Sequence, residues 1–360
     1  MKVVLIGSNF QTGGLTTAYR ILAKTLVAEG YSVLAVSIDD ERKELTNNLS
    51  KHLHTPFSSN GNKLKKLYST INAIIQCKAF KPEVLVSVGL TNTANLISQH
   101  VGRKTYKICQ EVIFDRDAKE KKFQKAIRVF DAIAPQSPAM VIEIRKKVGD
   151  PDLKINDLPC FSEAPYEDIL ASPSKSAPWR IGYFGRIAPH KGIHLLLKGL
   201  SALETENLQL DIWGEGNTVD LMQLSNQLQI SHLVQFMGKY PKGLRGAETI
   251  AKYDALALTS TGNEGLPLVL LEAMAYGLPV LTTNVAAIPD FCNENPDAIM
   301  VSPDELGVKH GLQLLEEKLS LNEFSAKRHS ALYKRKYSHS VMTEKWVNCL
   351  TNPERFFSND

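Results

Sequence analysis

The stretch that most restricts the fold is residues 259–284, TSTGNEGLPLVLLEAMAYGLPVLTTN. An apolar run precedes it, and a Gly-containing turn interrupts that run. Pro267 suits the first turn of a helix, where the backbone N–H has no intrahelical partner to lose. Gly277 suits the position just after a helix end, and residues 279–284 return to an apolar, β-branched pattern. The pattern predicts a strand, a loop, a buried helix over 268–276 and a second strand.

Two carboxylates accompany this predicted helix. Glu264 lies in the loop before it, and Glu272 lies eight residues later in a segment that is otherwise apolar. A carboxylate in a buried helix is costly unless something hydrogen-bonds to it. The free N–H groups of the helix start lie between the two glutamates, which are at most ~12 Å apart along the axis, and they attract an anion. Carboxylates that accept hydrogen bonds from hydroxyl groups on both sides of an anion site indicate a nucleotide sugar as the ligand.

In the setting EGLPLVLLEAMAYGLPVL, this pair of glutamates resembles the signature of retaining GT-B glycosyltransferases, glycosyltransferase family 4 in particular. The resemblance implies an α/β fold with two Rossmann-like, doubly wound parallel-sheet domains that face a central cleft. It also implies transfer of a hexose from a nucleotide diphosphate sugar with retention at the anomeric carbon, without a metal or other cofactor. The backbone of Gly265, Leu266 and Pro267 would hold the sugar and its phosphate. Glu264 would accept hydrogen bonds from hydroxyls of the donor sugar, and Glu272 from those of the ribose.

A second segment, RIGYFGRIAPHKG at 180–192, predicts a strand, a loop and a helix start. Arg186 and Lys191 flank the loop, and a guanidinium and an ammonium beside a helix start suit a diphosphate. The alternative is a pair of solvated loop cations. The spacing resembles the GR-x(4)-KG element of the family, which implies that Arg186 and Lys191 stabilise charge on the leaving diphosphate. With Glu264 they are the predicted catalytic residues.

The first half of the chain offers weaker candidates. Gly13 and Gly14 follow the first predicted strand, where a glycine pair lets the backbone approach a phosphate. They resemble the Gly-rich loop that faces the donor diphosphate in the family, and a plain tight turn is the alternative. Many family members carry a His after the fourth strand, and this sequence has none there. Gln110 or Glu111 is the predicted substitute in contacting the donor sugar, and a solvated loop is the alternative for Glu111.

Apolar runs that alternate with amphipathic segments predict parallel sheets covered by helices on both faces. The strands predicted in the first half are 3–7, 32–38, 84–88, 105–109 and 132–134. The periodicity then lapses in a Pro-, Ser- and Ala-rich stretch, which predicts a linker. The predicted domains are 1–165 (N-terminal, acceptor side), 166–179 (linker), 180–335 (nucleotide-sugar domain) and 336–360 (a helix that crosses back to the N-terminal domain).

Composition narrows the class of protein. A chain of 360 residues suggests two domains, and a net charge of +4 is too small to argue for nucleic acid as a partner. The five cysteines are scattered, which predicts reduced thiols rather than disulfides or a zinc site. Asp115 and Asp117 imitate a metal-binding DXD motif but stand alone, so we predict no metal. The apolar run at the N-terminus is too short for a signal peptide, and no apolar run is long enough to span a membrane. We therefore expect a cytoplasmic protein.

Two basic clusters leave two interpretations open. They are either ordinary solvated helix surfaces or an interfacial patch that contacts anionic lipid at the inner face of the cytoplasmic membrane. In the larger cluster, apolar residues at spacings of four and three accompany the cations. The larger cluster is Lys121, Lys122, Lys125 and Arg128 with Phe123, Ile127 and Phe130, and the smaller is Lys63, Lys65 and Lys66.

The resemblance leads to one predicted function and leaves two alternatives. The chain would transfer a hexose, from a UDP-sugar in preference to GDP-mannose, to a glycan or lipid-linked acceptor in cell-surface polysaccharide or lipopolysaccharide synthesis. The missing His leaves open a sugar-nucleotide-binding protein without transferase activity, or a partner subunit. A sugar-nucleotide epimerase shares the GT-B fold and is the other alternative. Nucleotide release that depends on an acceptor separates a transferase from both.

Overall fold

The computed structural model describes residues 1–8, 14–39, 49–56, 63–110, 120–162, 166, 168–174, 176–262 and 264–358, with the side chains of 120–123 excepted. The chain divides into two compact units. Unit 1 consists of Met1–Phe161 and Met342–Asp360, and unit 2 of Ser162–Val341.

Unit 1 is built on a parallel sheet with the strand order β3-β2-β1-β4-β5-β6. Its described strands are β1 (Lys2–Ser8), β2 (Ser32–Asp39), β3 (Lys51–Pro56), β4 (Val84–Val88), β5 (Tyr106–Gln110) and β6 (Ala132–Ala134). Its described helices are α1 (Gly14–Ala28), α2 (Lys63–Phe80), α3 (Asn92–His100), α4 (Glu120–Ile127) and α5 (Pro138–Val148).

Both faces of this sheet are buried. Consecutive residues of β1 are apolar, and their side chains point alternately to the two faces. Val3 and Leu5 pack with Tyr19 of α1 and, on the same face, with Trp346 near the end of the chain. The opposite face packs against α2, α3, α4 and α5. The sheet is therefore the middle layer of a three-layer α/β unit.

Unit 2 has a second parallel sheet, in the order β12-β11-β10-β7-β8-β9. Its strands are β7 (Trp179–Phe184), β8 (Leu208–Trp213), β9 (Val234–Gly238), β10 (Ala255–Leu258), β11 (Val280–Thr283) and β12 (Ala298–Val301). Its helices are α6 (Ile193–Leu203), α7 (Val219–Gln227), α8 (Leu244–Ile250), α9 (Leu268–Ala275), α10 (Ile288–Cys292), α11 (Glu305–Ser320) and α12 (Ala326–Lys336). Two more helices follow in the chain, α13 (His339–Thr351) and α14 (Pro353–Phe356), and from Met342 onward they belong to unit 1.

Two doubly wound parallel sheets were predicted, and both are confirmed. The helix expected over 268–276 is α9 (Leu268–Ala275), and Pro267 is its N-cap rather than part of its first turn. Gly277 follows that helix with a φ of +73°, in the left-handed region that favours glycine. One strand was missed: β3, KHLHTP, lies at the sheet edge, where a polar sequence is tolerated.

The segment predicted as a linker packs on unit 2. The Ala171 N–H donates to Tyr276 O at 2.7 Å, and the Ser174 N–H donates to the buried carboxylate of Asp254. The last residues of the chain belong to unit 1, where Met342, Trp346 and Leu350 lie in its core. Among the described residues, no helix combines the length and the apolar character needed to cross a membrane.

Two of the three apolar residues of the larger basic cluster are buried in the structure. Ile127 and Phe130 are buried in the core of unit 1 and cannot present an apolar face to a lipid surface. Lys125 and Arg128 are exposed, as solvated cations of an ordinary helix surface would be.

Candidate functional site

The order of strands in the second sheet reverses between β7 and β10. From β7 the chain proceeds outward to β8 and β9, and from β10 it proceeds to the other side, to β11 and β12. In open parallel sheets ligands bind beyond the carboxyl ends of the strands at such a reversal. The two loops that leave these strands, 185–192 and 259–267, contain the residues predicted to bind a diphosphate. Tertiary structure therefore brings these two distant segments together.

The two loops are held in direct contact. Gly192 has a φ of +67° and comes immediately before α6. A Cβ atom on it would lie 1.8 Å from Thr259 O, so only glycine allows this approach. Thr259 Oγ1 donates to Gly192 O at 3.0 Å, and the Thr261 N–H donates to His190 O at 2.8 Å.

Lys191 and Glu264, from the two loops, form an ion pair between Lys191 Nζ and Glu264 Oε1. The side chains are only 13% and 10% exposed, so solvent screens the pair weakly. Ser260 Oγ donates to the same carboxylate oxygen at 2.7 Å. Glu264 therefore has one partner in each loop, and Lys191 is oriented by a carboxylate rather than free in solvent.

Arg186 is exposed in the loop that also carries Lys191, and it makes no ion pair with any described residue. Its backbone carbonyl accepts from the hydroxyl of buried Tyr183 at 2.7 Å. Burial raises the pKa of that hydroxyl, so it remains a donor. Burial, and then the charge of Lys191, lower the pKa of His190, so its ring is neutral at pH 7. The positive charge of the loop thus comes from Arg186 and Lys191.

The loop after β8 lies against the loop after β7. Gly214 and Gly216 have φ values of +153° and +152°, and added Cβ atoms would lie 1.7 Å from Gly185 O and 2.1 Å from Ile187 O. The Ile187 N–H donates to Glu215 O at 2.9 Å. The segment that carries Arg186 is therefore supported on both sides by neighbouring loops.

The residues around the start of α9 are arranged as the sequence predicts locally. Leu266 is buried, Gly265 is half-buried, and Pro267 precedes the helix without a side-chain hydrogen bond that caps it. The first N–H groups of the helix are thus left to other partners. Glu272 is half-buried in the second turn.

The candidates in unit 1 are less informative. Gly13, Glu111, Asp115 and Asp117 lie outside the described residues, and Gly14 begins α1. Gln110 is 1% exposed, and its side-chain nitrogen donates to Cys160 Sγ at 2.9 Å and Leu158 O at 3.5 Å. The amide is engaged in the interior of unit 1, which does not favour the sugar contact predicted for it.

Three residues of this site were not predicted from the sequence. Ser260, Thr259 and Tyr183 fix the loops and orient their charges, yet each is a common residue at the end of a buried strand. Only their position on β7 or directly after β10 could have suggested them. Within the described part of the chain, no group of three or more His, Cys, Asp or Glu side chains is arranged to hold a metal.

The fold is that of the GT-B class, two Rossmann-like units each with a six-stranded parallel sheet. Sucrose-phosphate synthase from Thermosynechococcus elongatus superposes with a TM-score of 0.79 at 14% identity, covering 99% of each chain. HepE from Anabaena, solved in complex with UDP and glucose, superposes with a TM-score of 0.78 at 15% identity, covering 98% of this chain and 100% of that one. These likenesses establish the fold.

Residues 178–316 match the family described as glycosyl transferases group 1. An uncharacterised glycosyltransferase of Methanocaldococcus jannaschii is 31% identical over 123 residues, 34% of this chain and 31% of that protein. The lipopolysaccharide 1,6-galactosyltransferase of Escherichia coli K12 is 30% identical over 128 residues, 34% of this chain and 35% of that protein. The matched region spans less than half the length of these relatives. The predicted resemblance to GT-B glycosyltransferases is confirmed.

Proposed function

We propose that this chain is a glycosyltransferase that moves a hexose from a nucleotide diphosphate sugar to a hydroxyl of a glycan or lipid-linked acceptor. The observation that carries the proposal is the pairing of Lys191 with Glu264 at the reversal point of the second sheet, in a loop that also carries exposed Arg186. Two cations beside the starts of α6 and α9 suit a diphosphate, and a carboxylate next to them suits sugar hydroxyls.

The donor diphosphate would lie against Arg186, Lys191 and the backbone at Gly265 and Leu266. Negative charge grows on the diphosphate as its bond to the anomeric carbon breaks, and fixed cations stabilise that charge most where it appears. Lys191, already positioned by Glu264, loses little freedom on binding and is suited to this task. The role of the cations requires no metal ion.

Glu264 would orient the donor sugar through its carboxylate, and Glu272 would accept hydrogen bonds from the ribose hydroxyls. We assign retention of configuration with front-face displacement, as the family resemblance implies. In unit 1, Gly13 and Gly14 remain the proposed contacts to the diphosphate, and Glu111 the alternative contact to the sugar.

The named relatives support particular donors and acceptors. HepE was solved with UDP and with UDP-glucose, and two of the relatives are lipopolysaccharide galactosyltransferases. We therefore favour a UDP-hexose over GDP-mannose, and an acceptor in cell-surface polysaccharide or lipopolysaccharide synthesis. Such a reaction would take place in the cytoplasm, at or near the inner face of its membrane.

The test begins with thermal-shift screening of nucleotide sugars, because a ligand that binds the folded state raises the melting temperature by mass action. The stabilising donor is then incubated with and without candidate acceptors, and free nucleoside diphosphate is measured. We expect release that depends on the acceptor, together with a product one hexose heavier.

Other outcomes would contradict the proposal. A donor that binds but is never consumed would indicate a sugar-nucleotide-binding protein or a partner subunit. Consumption of the donor at full rate without any acceptor would indicate an epimerase. A diphosphate found away from Arg186 and Lys191 in a donor-soaked crystal would refute the assigned site.

A further inference from the structure

Helix α2 exposes an apolar surface that the catalytic proposal does not use. Five large apolar side chains on it are between 47% and 78% exposed. We call them the outer stripe: Leu64, Leu67, Tyr68, Ile71 and Ile75. They account for five of the sixteen large apolar residues that are exposed in the described part of the chain, although α2 has only 18 residues.

The outer stripe is a continuous strip along one side of the helix. Its spacings of three, one, three and four residues place the five side chains within about 100° of one another on a helix of 3.6 residues per turn. The buried side of the same helix, formed by Thr70, Ala73 and Cys77, lies on the opposite side. Packing on the sheet of unit 1 therefore does not explain the outer stripe.

Positive charge surrounds the outer stripe. Lys63 and Lys65 are exposed at the N-terminal end of α2, about 100° to either side of the centre of the strip, and Lys78 is exposed at the far end. The helix contains no acidic residue. Anionic headgroups could thus be contacted by lysines while the apolar side chains lie below them.

The charge of the whole helical layer has the same sign. Helices α2 to α5 cover one face of the first sheet and contain ten Lys or Arg against two Glu, an excess of eight. The excess for the complete chain is only four. The remainder of the chain is therefore net negative, and the positive charge is concentrated on this layer. Two further apolar residues of the layer, Leu96 and Ile142, are also exposed.

From these observations we infer that the outer stripe of α2 is a membrane-binding surface that lies flat in the headgroup region of an anionic phospholipid bilayer. An anionic bilayer offers hydrocarbon and negative charge. The apolar strip complements the hydrocarbon, and the flanking lysines, on a helix without acidic residues, complement the negative charge. The inference does not depend on the assigned catalytic residues. It would place an acceptor held in the membrane beside the protein.

The test is sedimentation of the full chain with vesicles of equimolar phosphatidylcholine and phosphatidylglycerol, compared with phosphatidylcholine alone. We expect binding to the anionic vesicles, weakened by added salt because exposed charges are screened. Replacing Leu64, Leu67 and Ile71 together by Gln should lower partitioning at least about tenfold. Lys63→Gln with Lys65→Gln should lower it roughly fivefold per lysine.

Matched variants in unit 2 serve as controls. Val219→Gln, Leu306→Gln and Leu321→Gln remove three apolar side chains that are 56% to 79% exposed, and Lys252→Gln with Lys327→Gln removes two exposed lysines. Both controls should bind vesicles as the unmodified chain does. Circular dichroism should give the same helix content for every variant, because the replaced residues are on the surface.

Three results would overturn the inference. The unmodified chain could fail to sediment with anionic vesicles, or the outer-stripe variant could bind as strongly as its control. Self-association that the outer-stripe variant abolishes, without any vesicle binding, would make this surface an interface between copies of the chain.

Discussion

At the scale of single residues, the candidate site depends on Lys191, whose ammonium is oriented by a carboxylate that also accepts a hydrogen bond from a serine hydroxyl. Lys191 meets Glu264, and Glu264 in turn accepts from Ser260. A buried or half-buried pair of this kind gains stability only when its remaining polar atoms are also bonded. Here Ser260 supplies one such bond to the Glu264 oxygen that pairs with the Lys191 ammonium.

Replacing Lys191 by Ala should lower turnover more than donor affinity. The lost charge acts on the leaving diphosphate, where negative charge develops only as the bond breaks, so kcat should fall by roughly 10²–10³. Steady-state kinetics and calorimetric donor binding measure the two effects. Lys198→Ala, an exposed lysine on α6 paired with Glu305, is the control and should leave kcat unchanged. Turnover near that of the unmodified chain would exclude the assigned role.

Replacing Glu272 by Ala should weaken donor binding about tenfold or more, because ribose hydroxyls would lose a charged acceptor. Isothermal titration calorimetry with the donor measures the change. Glu317→Ala, on the exposed side of α11, is the control and should bind donor normally. Equal affinity in both variants would contradict the ribose role.

At the scale of elements, the loops after β7 and β10 act as one structure because Gly192 allows them to touch. Thr259 contributes a carbonyl at the contact and a hydroxyl that donates back. The pairing of Lys191 with Glu264 therefore requires two elements that are more than sixty residues apart in the chain.

Gly192→Ala should lower the free energy of unfolding of unit 2 by about 3 kcal/mol or more. The variant combines the strain of a left-handed alanine, about 1–2 kcal/mol, with a collision against Thr259 O. Gly238→Ala isolates the first contribution, since Gly238 has a φ of +73° and no atom within 4 Å of an added Cβ. Denaturant titration compares the two. Equal losses would mean that the loop contact can relax.

The helices α10 and α12 provide a pH-dependent contribution to stability. His329 is buried, and Asn295 Nδ2 lies 3.1 Å from its Nε2. Burial lowers the pKa of His329 to about 4, although the charge of Asp297 acts in the opposite direction. Below its ordinary pKa of about 6.5 the unfolded chain therefore binds a proton that the folded chain excludes.

Acidification from pH 7 to pH 5 should accordingly cost unit 2 about 2 kcal/mol of stability through this histidine. The stability is present above pH 6.5 and is lost as the pH falls toward 4. Chemical denaturation at several pH values measures it. In His329→Gln the difference between pH 7 and pH 5 should shrink by that amount, whatever the absolute stability of the variant. An unchanged difference would show that other groups cause the dependence.

At the scale of the whole molecule, the chain forms two units with separate cores, and its C-terminal residues belong to the first. Trp346, near the end of α13, is buried with Val3 and Tyr19 of the N-terminal strand and helix. The stability of unit 1 therefore depends on residues more than three hundred positions away from its first strand.

Trp346→Ala should destabilise unit 1 by about 3–5 kcal/mol, the usual cost of removing a large buried aromatic side chain. Hydrogen–deuterium exchange should show faster exchange in β1 and β4, while β7 and β10 keep their protection. Val341→Ala, a half-buried residue at the start of the same helix, is the control and should alter exchange little. Equal loss of protection in both units would show that they unfold together.

Much of this architecture follows from local sequence pattern. Short runs at 84–88, 132–134 and 280–283 are strands because every position in them is apolar or small, as a strand covered on both faces requires. Helix α9 ends where Gly277 supplies a left-handed residue. The family match over 178–316 likewise lies in consecutive residues. In contrast, β3 has a polar sequence and is a strand only because β2 provides a partner.

The sequence alone also determined which residues carry charge near the proposed diphosphate, because Arg186, Lys191 and Glu264 lie in recognisable loops. Tertiary structure decided that Lys191 pairs with Glu264 and Ser260, that the Gln110 amide is engaged in the interior, and that the outer stripe of α2 is exposed. The physical reason is the range of the forces involved. Backbone conformation and helix ends are set by neighbours in the chain, whereas burial and ion pairing depend on which distant segments the sheet brings together.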